Sequence, residues 1–153
     1  MEIQINKLGS QNAEAIFKWV TRLLTELGEE GEELGTLNKE RVLKAWKEIE
    51  NRYAAFVAYD ENQNILGICT LMESFAIYAN GNYGIIDEMY VHPDYRSLGV
   101  GARLIDAVVE HGKHKSWTRI DVTAPENERW SRTRAFYEKE GFVFTGPKLK
   151  KLL

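Results

Sequence analysis

The residues of this chain best suited to hold a charged group lie at Arg96-Ser97-Leu98-Gly99-Val100-Gly101-Ala102. The preceding run, Tyr83 to Val91, is rich in β-forming residues and is stopped by Pro93, which has no backbone N–H to give a central strand. After Gly99, Val100, Leu104, Ile105, Val108 and Val109 recur at the spacing of one helix face. The passage therefore reads strand, glycine turn, helix. The first turn of a helix has N–H groups without intrahelical partners at the positive end of its dipole, which suits a phosphate or pyrophosphate. Gly99 and Gly101 are expected to let a ligand's oxygens approach the main chain, and Arg96 to add a positive charge.

Two familiar phosphate loops do not fit. A Walker loop ends Gly-Lys-Ser/Thr, whereas Gly101 is followed by Ala102 and Arg103. A dinucleotide fingerprint needs a third glycine, where this chain has Leu104. Cys69 is the sole cysteine and lies in an apolar run, so it reads as a buried, inert thiol. His111 and His114 stand three apart near a helix end. With no further ligand cluster nearby they read as solvated helix-end histidines, and no metal site is expected.

The elements that must position the turn are legible by period. Ile3 and Ile5 alternate with polar neighbours as in a half-buried strand. Ser10 is expected to cap a helix carrying Ala13, Ile16, Phe17, Val20, Leu23, Leu24 and Leu27, which Gly28 ends. Asn38 or Thr36 starts a second helix through Val42, Leu43, Trp46 and Ile49. The strands Ala54–Tyr59 and Ile65–Met72 follow, joined by the polar connector Asp60–Asn64. Phe75–Tyr78 extends the second strand, and Asn80-Gly81-Asn82 turns the chain into the strand that leads to the glycine turn. Downstream come a strand at Arg119–Thr123, a polar loop at Pro125–Arg129 and a helix from Trp130 or Ser131 to Glu140, ended by Gly141. Final strands are expected at Phe142–Phe144 and Leu149–Leu152. This order gives a mixed α/β architecture of the α+β type.

A chain of 153 residues with 44% hydrophobic and 28% charged residues suits one soluble globular domain. Its net charge of -3 gives no footprint of a nucleic-acid binder. There is no apolar run of membrane-spanning length and no signal-peptide pattern, so a cytoplasmic location is the expectation.

The pattern Arg96-x-x-Gly99-x-Gly101-Ala102, after a strand ending Val91-x-Pro93-x-Tyr95, resembles the coenzyme A pyrophosphate loop of the GNAT acetyltransferase superfamily. The run Arg134-Ala135-Phe136-Tyr137-Glu138-Lys139-Glu140-Gly141-Phe142 resembles the same family's Ala-x-x-Phe-Tyr-x-x-x-Gly-Phe segment, with the first gap shortened. The resemblance implies a central mixed, mostly antiparallel sheet, splayed at the cofactor and flanked by helices. It also implies direct acetyl transfer from acetyl-CoA to a primary amine of a small molecule, without a metal. Acetylation of a protein or peptide, or a non-catalytic acyl-CoA sensor, are the alternatives, and a homodimer is possible.

By the same resemblance, the pyrophosphate meets the backbone N–H groups of Ser97, Leu98, Gly99, Val100, Gly101 and Ala102, while Met89, Tyr90 and Val91 run along the pantetheine arm past a bulge in their strand. Tyr137 falls on the position that protonates the departing thiolate. For the base, Asp87 and Glu88 stand nearly level and precede the expected bulge, and Asp121 ranks below them. Successive strand residues face opposite sides, so only one of the pair is expected to reach the acceptor. The four glutamates of the Gly28–Thr36 stretch are either a solvated loop or, as the resemblance implies, a wall of the acceptor site. Asn127 is displaced from the family's asparagine position, and Arg132 and Arg134 are candidates to approach the nucleotide phosphate instead.

Overall fold

A computed structural model of the chain describes residues 1–27, 37–124, 131–146 and 148–153. In chain order the elements are β1 (Gln4–Leu8), α1 (Ala13–Leu27), α2 (Lys39–Glu48), β2 (Tyr53–Tyr59), β3 (Ile65–Ala76), β4 (Gly81–Val91), α3 (Val100–His114), β5 (Ile120–Val122) and α4 (Ser131–Lys139). The five strands form one sheet in sequence order. The β1–β2, β2–β3 and β3–β4 pairs are antiparallel, and β4–β5 is parallel because α3 supplies the crossover.

Helices cover both faces of the sheet, which is why β2 reads as a continuous apolar run rather than an alternating one. Ala54, Phe56 and Ala58 join Val100, Leu104, Ile105 and Val108 of α3 on one face. Ala55 and Val57 join Ala13 and Ile16 of α1 and Trp46 of α2 on the other. Asn38 caps α2, its Oδ1 accepting from the Arg41 N–H at 2.9 Å. Ser10 does not cap α1. It lies in a one-turn 3-10 helix, Ser10–Asn12, and its hydroxyl donates to Glu50 instead. Strand β3 runs on through Ala76 as expected, and Asn80, at φ 59°, makes the turn into β4.

The two closing strands are not formed. Phe142 and the described residues after it carry no strand pairing, and Val143, Phe144, Leu149 and Leu152 are exposed. Strand β5 is only three residues long and lies at the sheet edge, so it offers a following segment few ladder bonds. A β-favouring sequence without such a partner stays irregular.

Candidate functional site

Strand β4 breaks its own alternation. Thr70 of β3 pairs with Glu88 and Leu71 with Ile86, leaving Asp87 without a ladder partner. This is a β-bulge, and the extra residue reverses which side chains face which way. Ile86 joins the α3-side cluster, whereas Tyr90, an even number of residues later, joins the α1/α2-side cluster. The bulge therefore falls on the carboxylate pair rather than after it. Strict alternation, the ground for expecting only one of Asp87 and Glu88 to reach the acceptor, holds only in an unbulged strand. Both charges reach the hydroxyl of Tyr53 and both reach the thiol of Cys69.

Glu88 is held firmly. Its Oε2 accepts from the Tyr53 hydroxyl at 3.0 Å and from the Thr70 hydroxyl, and the Glu88 N–H donates to Thr70 Oγ1 at 3.0 Å. Burial and the nearby carboxylates raise Tyr53 well above the ordinary phenol range, so it stays a donor. Among the described residues Asp87 has no such clamp, and its side chain is exposed to solvent on one side. Its packed surroundings, then the charge of Glu88, push it up from 3.8 to about 6, while Lys148 pulls in the opposite direction. Asp121 stands apart from the pair, its carboxylate taken bidentately by Arg119 at 2.8 and 3.0 Å.

Beside the bulge the sheet opens. The parallel ladder covers only Gly84–Ile86 with Ile120–Val122 and ends just before Asp87. From there to Val91, β4 is hydrogen-bonded to β3 on one side and has no β5 ladder on the other. Of the residues expected along a cofactor, Met89 packs toward α3, Tyr90 lies under Trp19 with ring centroids 5.9 Å apart, and the Val91 carbonyl accepts from Arg96 Nε at 2.9 Å. Arg96 also lies 5.8 Å from the Tyr90 ring, so it ties the turn to the strand end.

The turn itself is presented outward. Ser97, Leu98 and Gly99 are exposed, with Ser97 at φ 65° and Gly99 at φ 85°. Gly99 stands at the N-cap of α3, and the first α3 backbone donor turned back into the turn is Arg103 N–H, 3.1 Å from the Gly99 carbonyl. The N–H groups of Val100, Gly101 and Ala102 thus precede the intrahelical ladder. Gly99 and Gly101 serve different ends. A Cβ on Gly99 would meet open space, so the left-handed φ is its requirement, whereas a Cβ on Gly101 would come within 3.0 Å of the Phe136 ring. The second glycine therefore makes room for α4. Arg132, at the start of α4, donates to Ser97 Oγ at 3.1 Å and reaches the turn, but Arg134 pairs with Glu138 at 2.9 Å.

Tyr137 is buried, its ring 5.4 Å from Phe136 and 5.6 Å from Phe142. Burial raises its phenol above the ordinary range, so it carries its proton throughout neutral pH. It lines a cavity of about 760 Å³ that wraps round the free edge of β5, bordered by Ile85, Gly112, Asp121, Val122, Phe142 and Lys148 among others. Phe136 thus faces the turn while its neighbour Tyr137 faces the cavity.

A strand that bulges at paired carboxylates and parts from its parallel neighbour, followed by an open helix start, is an arrangement with relatives. The acetyltransferase (GNAT) domain family matches residues 51–144, more than half of the chain. The chain belongs to the GNAT acetyltransferases. These enzymes take their acetyl group from acetyl-CoA. An uncharacterized N-acetyltransferase, YhfO, of Bacillus subtilis strain 168 is 24% identical over 103 residues, 67% of this chain and 66%, just under two thirds, of that protein. Among solved structures, an aminoglycoside acetyltransferase from an uncultured soil metagenomic sample superposes with a TM-score of 0.81 at 15% identity, over 100% of this chain and 99% of that one. A ribosomal-protein-alanine N-acetyltransferase from Brucella melitensis biovar Abortus 2308 does so with a TM-score of 0.74 at 19% identity, over 100% of both chains. At these identities the structural likeness establishes the GNAT fold.

Some expected GNAT features lie outside the described residues, namely the glutamates of Gly28–Thr36, Asn127 and Trp130. Tyr53 and Thr70 were not among the expected site residues. They stand 35 and 18 positions from Glu88 on other strands, and only the register brings them together. His111, expected in solvent, is half-buried edge-on between Phe56 and Trp117, at 5.4 and 5.3 Å. Cys69 is fully buried, and burial raises its thiol out of the reactive range. Among the described residues no cluster of three or more His, Cys, Asp or Glu is placed to hold a metal, and no helix is long and apolar enough to cross a membrane.

Proposed function

We propose that this GNAT acetyltransferase moves the acetyl group of acetyl-CoA directly to a primary amine of a small molecule in a ternary complex. The observation that carries this reading is the coincidence, at one place on β4, of the bulge, the end of the β5 ladder and the Asp87/Glu88 pair. Such an opening parts β4 from β5 beside Met89 to Val91, the stretch assigned to the pantetheine arm. A backbone N–H aimed at the developing oxyanion there contributes on the order of 3 kcal/mol of barrier reduction. The turn and helix start from Ser97 to Ala102, exposed at Ser97, Leu98 and Gly99, take the pyrophosphate, with Arg132 beside them, while Arg96 braces the turn.

Asp87 is the proton acceptor and Glu88 its partner. The clamp of Tyr53 and Thr70 holds Glu88 still, and its charge helps to raise Asp87 to about 6. A carboxylate at that value is mostly unprotonated at pH 7 but a far better proton acceptor than one at 3.8. Two carboxylates also attract a cationic amine. Tyr137, protonated throughout this range, supplies the proton to the coenzyme A thiolate, and no covalent intermediate is needed.

Free-thiol release from acetyl-CoA across a panel of polyamines, amino sugars, amino acids and N-terminal peptides tests the reading. Turnover with small amines is expected. Turnover with peptides alone would move the acceptor class to proteins, and tight acetyl-CoA binding without turnover on any amine would make the chain a sensor.

A further inference from the structure

A second cavity, of about 290 Å³, lies at the C-terminal end of α3, the end opposite the glycine turn. Ala54 and Leu71, both buried, line it together with His111 and Trp117, whose rings meet edge to face at 5.3 Å. Lys7 from β1, Arg52 from just before β2 and Lys115 from just past α3 line it too. Segments far apart in the chain thus bring permanent positive charges to one small hollow. Two carboxylates share the lining, and both are engaged. Glu73 Oε2 accepts from the Trp117 indole N–H at 2.8 Å and lies 3.9 Å from Lys115 Nζ, while Glu50 accepts from the Ser10 hydroxyl. Among the described residues Lys7 and Arg52 have no carboxylate partner. Arg52 is nevertheless held in place. Its Nη2 donates to the Glu73 carbonyl at 3.0 Å, and its own carbonyl accepts from the Glu73 N–H at 2.7 Å, which leaves the guanidinium further N–H groups to donate.

We propose that this cavity is an anion-binding site, separate from the donor site, which takes a small dianion of the phosphate, sulfate or dicarboxylate class on Lys7, Arg52 and Lys115. The inference does not depend on the acetyl-transfer reading. Its electrostatic logic shows at His111. Burial, then Lys7 and Lys115, lower the imidazole, with His114 acting in the same direction and Glu73 against it. An anion seated there offsets the repulsion among these cations. Occupancy also reaches the sheet beside the acetyl-transfer site. The Trp117 ring packs on Gly84 of β4, where a Cβ would fall 2.5 Å from it, and Trp117 lines the larger cavity round β5 as well. It is a wall common to both cavities, so its indole N–H reports on the smaller one.

Nuclear magnetic resonance on the nitrogen-labelled full-length protein tests this, with sodium sulfate and sodium succinate titrated separately at an ionic strength held constant with sodium chloride. The Trp117 indole N–H, assigned with Trp117→Phe, and the His111 ring are followed together. At least one of the two dianions is expected to shift both signals saturably and, when bound, to raise the His111 pKa, because a neighbouring anion favours the imidazolium. The tighter of the two tells a phosphate-like ligand from a carboxylate. Lys7→Gln and Arg52→Gln, both at exposed positions, should each weaken binding about three- to tenfold, and Lys7→Arg should retain it. The amides of Gly99 and Gly101 report any sulfate held at the glycine turn, and their response should be the same in wild type and variants. The inference is overturned if the Trp117 signal stays still or moves without saturating, if sodium chloride alone reproduces the shift, or if both glutamine variants bind as wild type does.

Discussion

Asp87→Asn should slow the enzyme and stabilise the fold at once. The carboxylate of Asp87 is raised from 3.8 to about 6, chiefly by burial and then by Glu88, a shift of about two units. At roughly 1.4 kcal/mol per unit this corresponds to about 3 kcal/mol, reduced to about 1 kcal/mol because the side chain keeps an open edge to solvent. The sign follows from linkage. A group whose folded pKa is raised contributes stability that is present below its unfolded value near 3.8 and lost as pH rises through about 6. At pH 8 the wild type therefore carries the full penalty of an ionised Asp87, and asparagine, similar in shape and neutral, does not. Calorimetric melting at pH 8 should place the variant about 2–4 °C above wild type, with the gap shrinking as pH falls toward 5. Removal of the base should lower kcat/KM about 10²- to 10⁴-fold. The wild-type profile should fall about tenfold per pH unit below 6, and the variant should lose that limb. An unchanged rate, or a lower melting temperature at pH 8, would refute the assignment of Asp87 as a strained base.

Other substitutions separate roles in the same way. Tyr137→Phe should lower kcat about 10²-fold while acetyl-CoA affinity by calorimetry is kept; turnover at the wild-type rate would make the phenol a packing group. Tyr53→Phe removes the 3.0 Å bond to Glu88 Oε2, and denaturant unfolding should report a loss of about 1–3 kcal/mol. Gly84→Ala would set a Cβ 2.5 Å from the Trp117 ring, with no flexible side-chain end to yield, and should cost about 1–3 kcal/mol by the same measurement. Wild-type stability in that variant would mean that Trp117 can shift off the sheet.

What the sequence made legible was what depends on neighbours along the chain. The 3.6-residue spacing from Val100 to Val109 marks α3, Asn38 marks the start of α2, and Gly99 marks the left-handed residue before a helix. Local signals also misled where a distant surface decided the outcome. Phe142-Val143-Phe144 looks like a strand until the short edge of β5 leaves it unpaired, and nothing along the chain shows that Gly101 must clear the ring of Phe136.

The bulge shows why the site was harder to read than the fold. Nothing in Ile86-Asp87-Glu88-Met89 marks an inserted residue, because a bulge is a mismatch between two strands and belongs to neither sequence alone. Its effect is nevertheless decisive for the chemistry. An unbulged β4 would send Asp87 and Glu88 to opposite faces of a sheet covered on both, burying one carboxylate among the apolar residues of α3 at high cost. The single unpaired residue removes that conflict. It brings both charges within reach of Tyr53, lets Glu88 be clamped across to Thr70, and leaves Asp87 unclamped beside the point where β5 departs. The feature that makes two adjacent acidic residues tolerable in a central strand is thus also the one that raises one of them into the range of a working base.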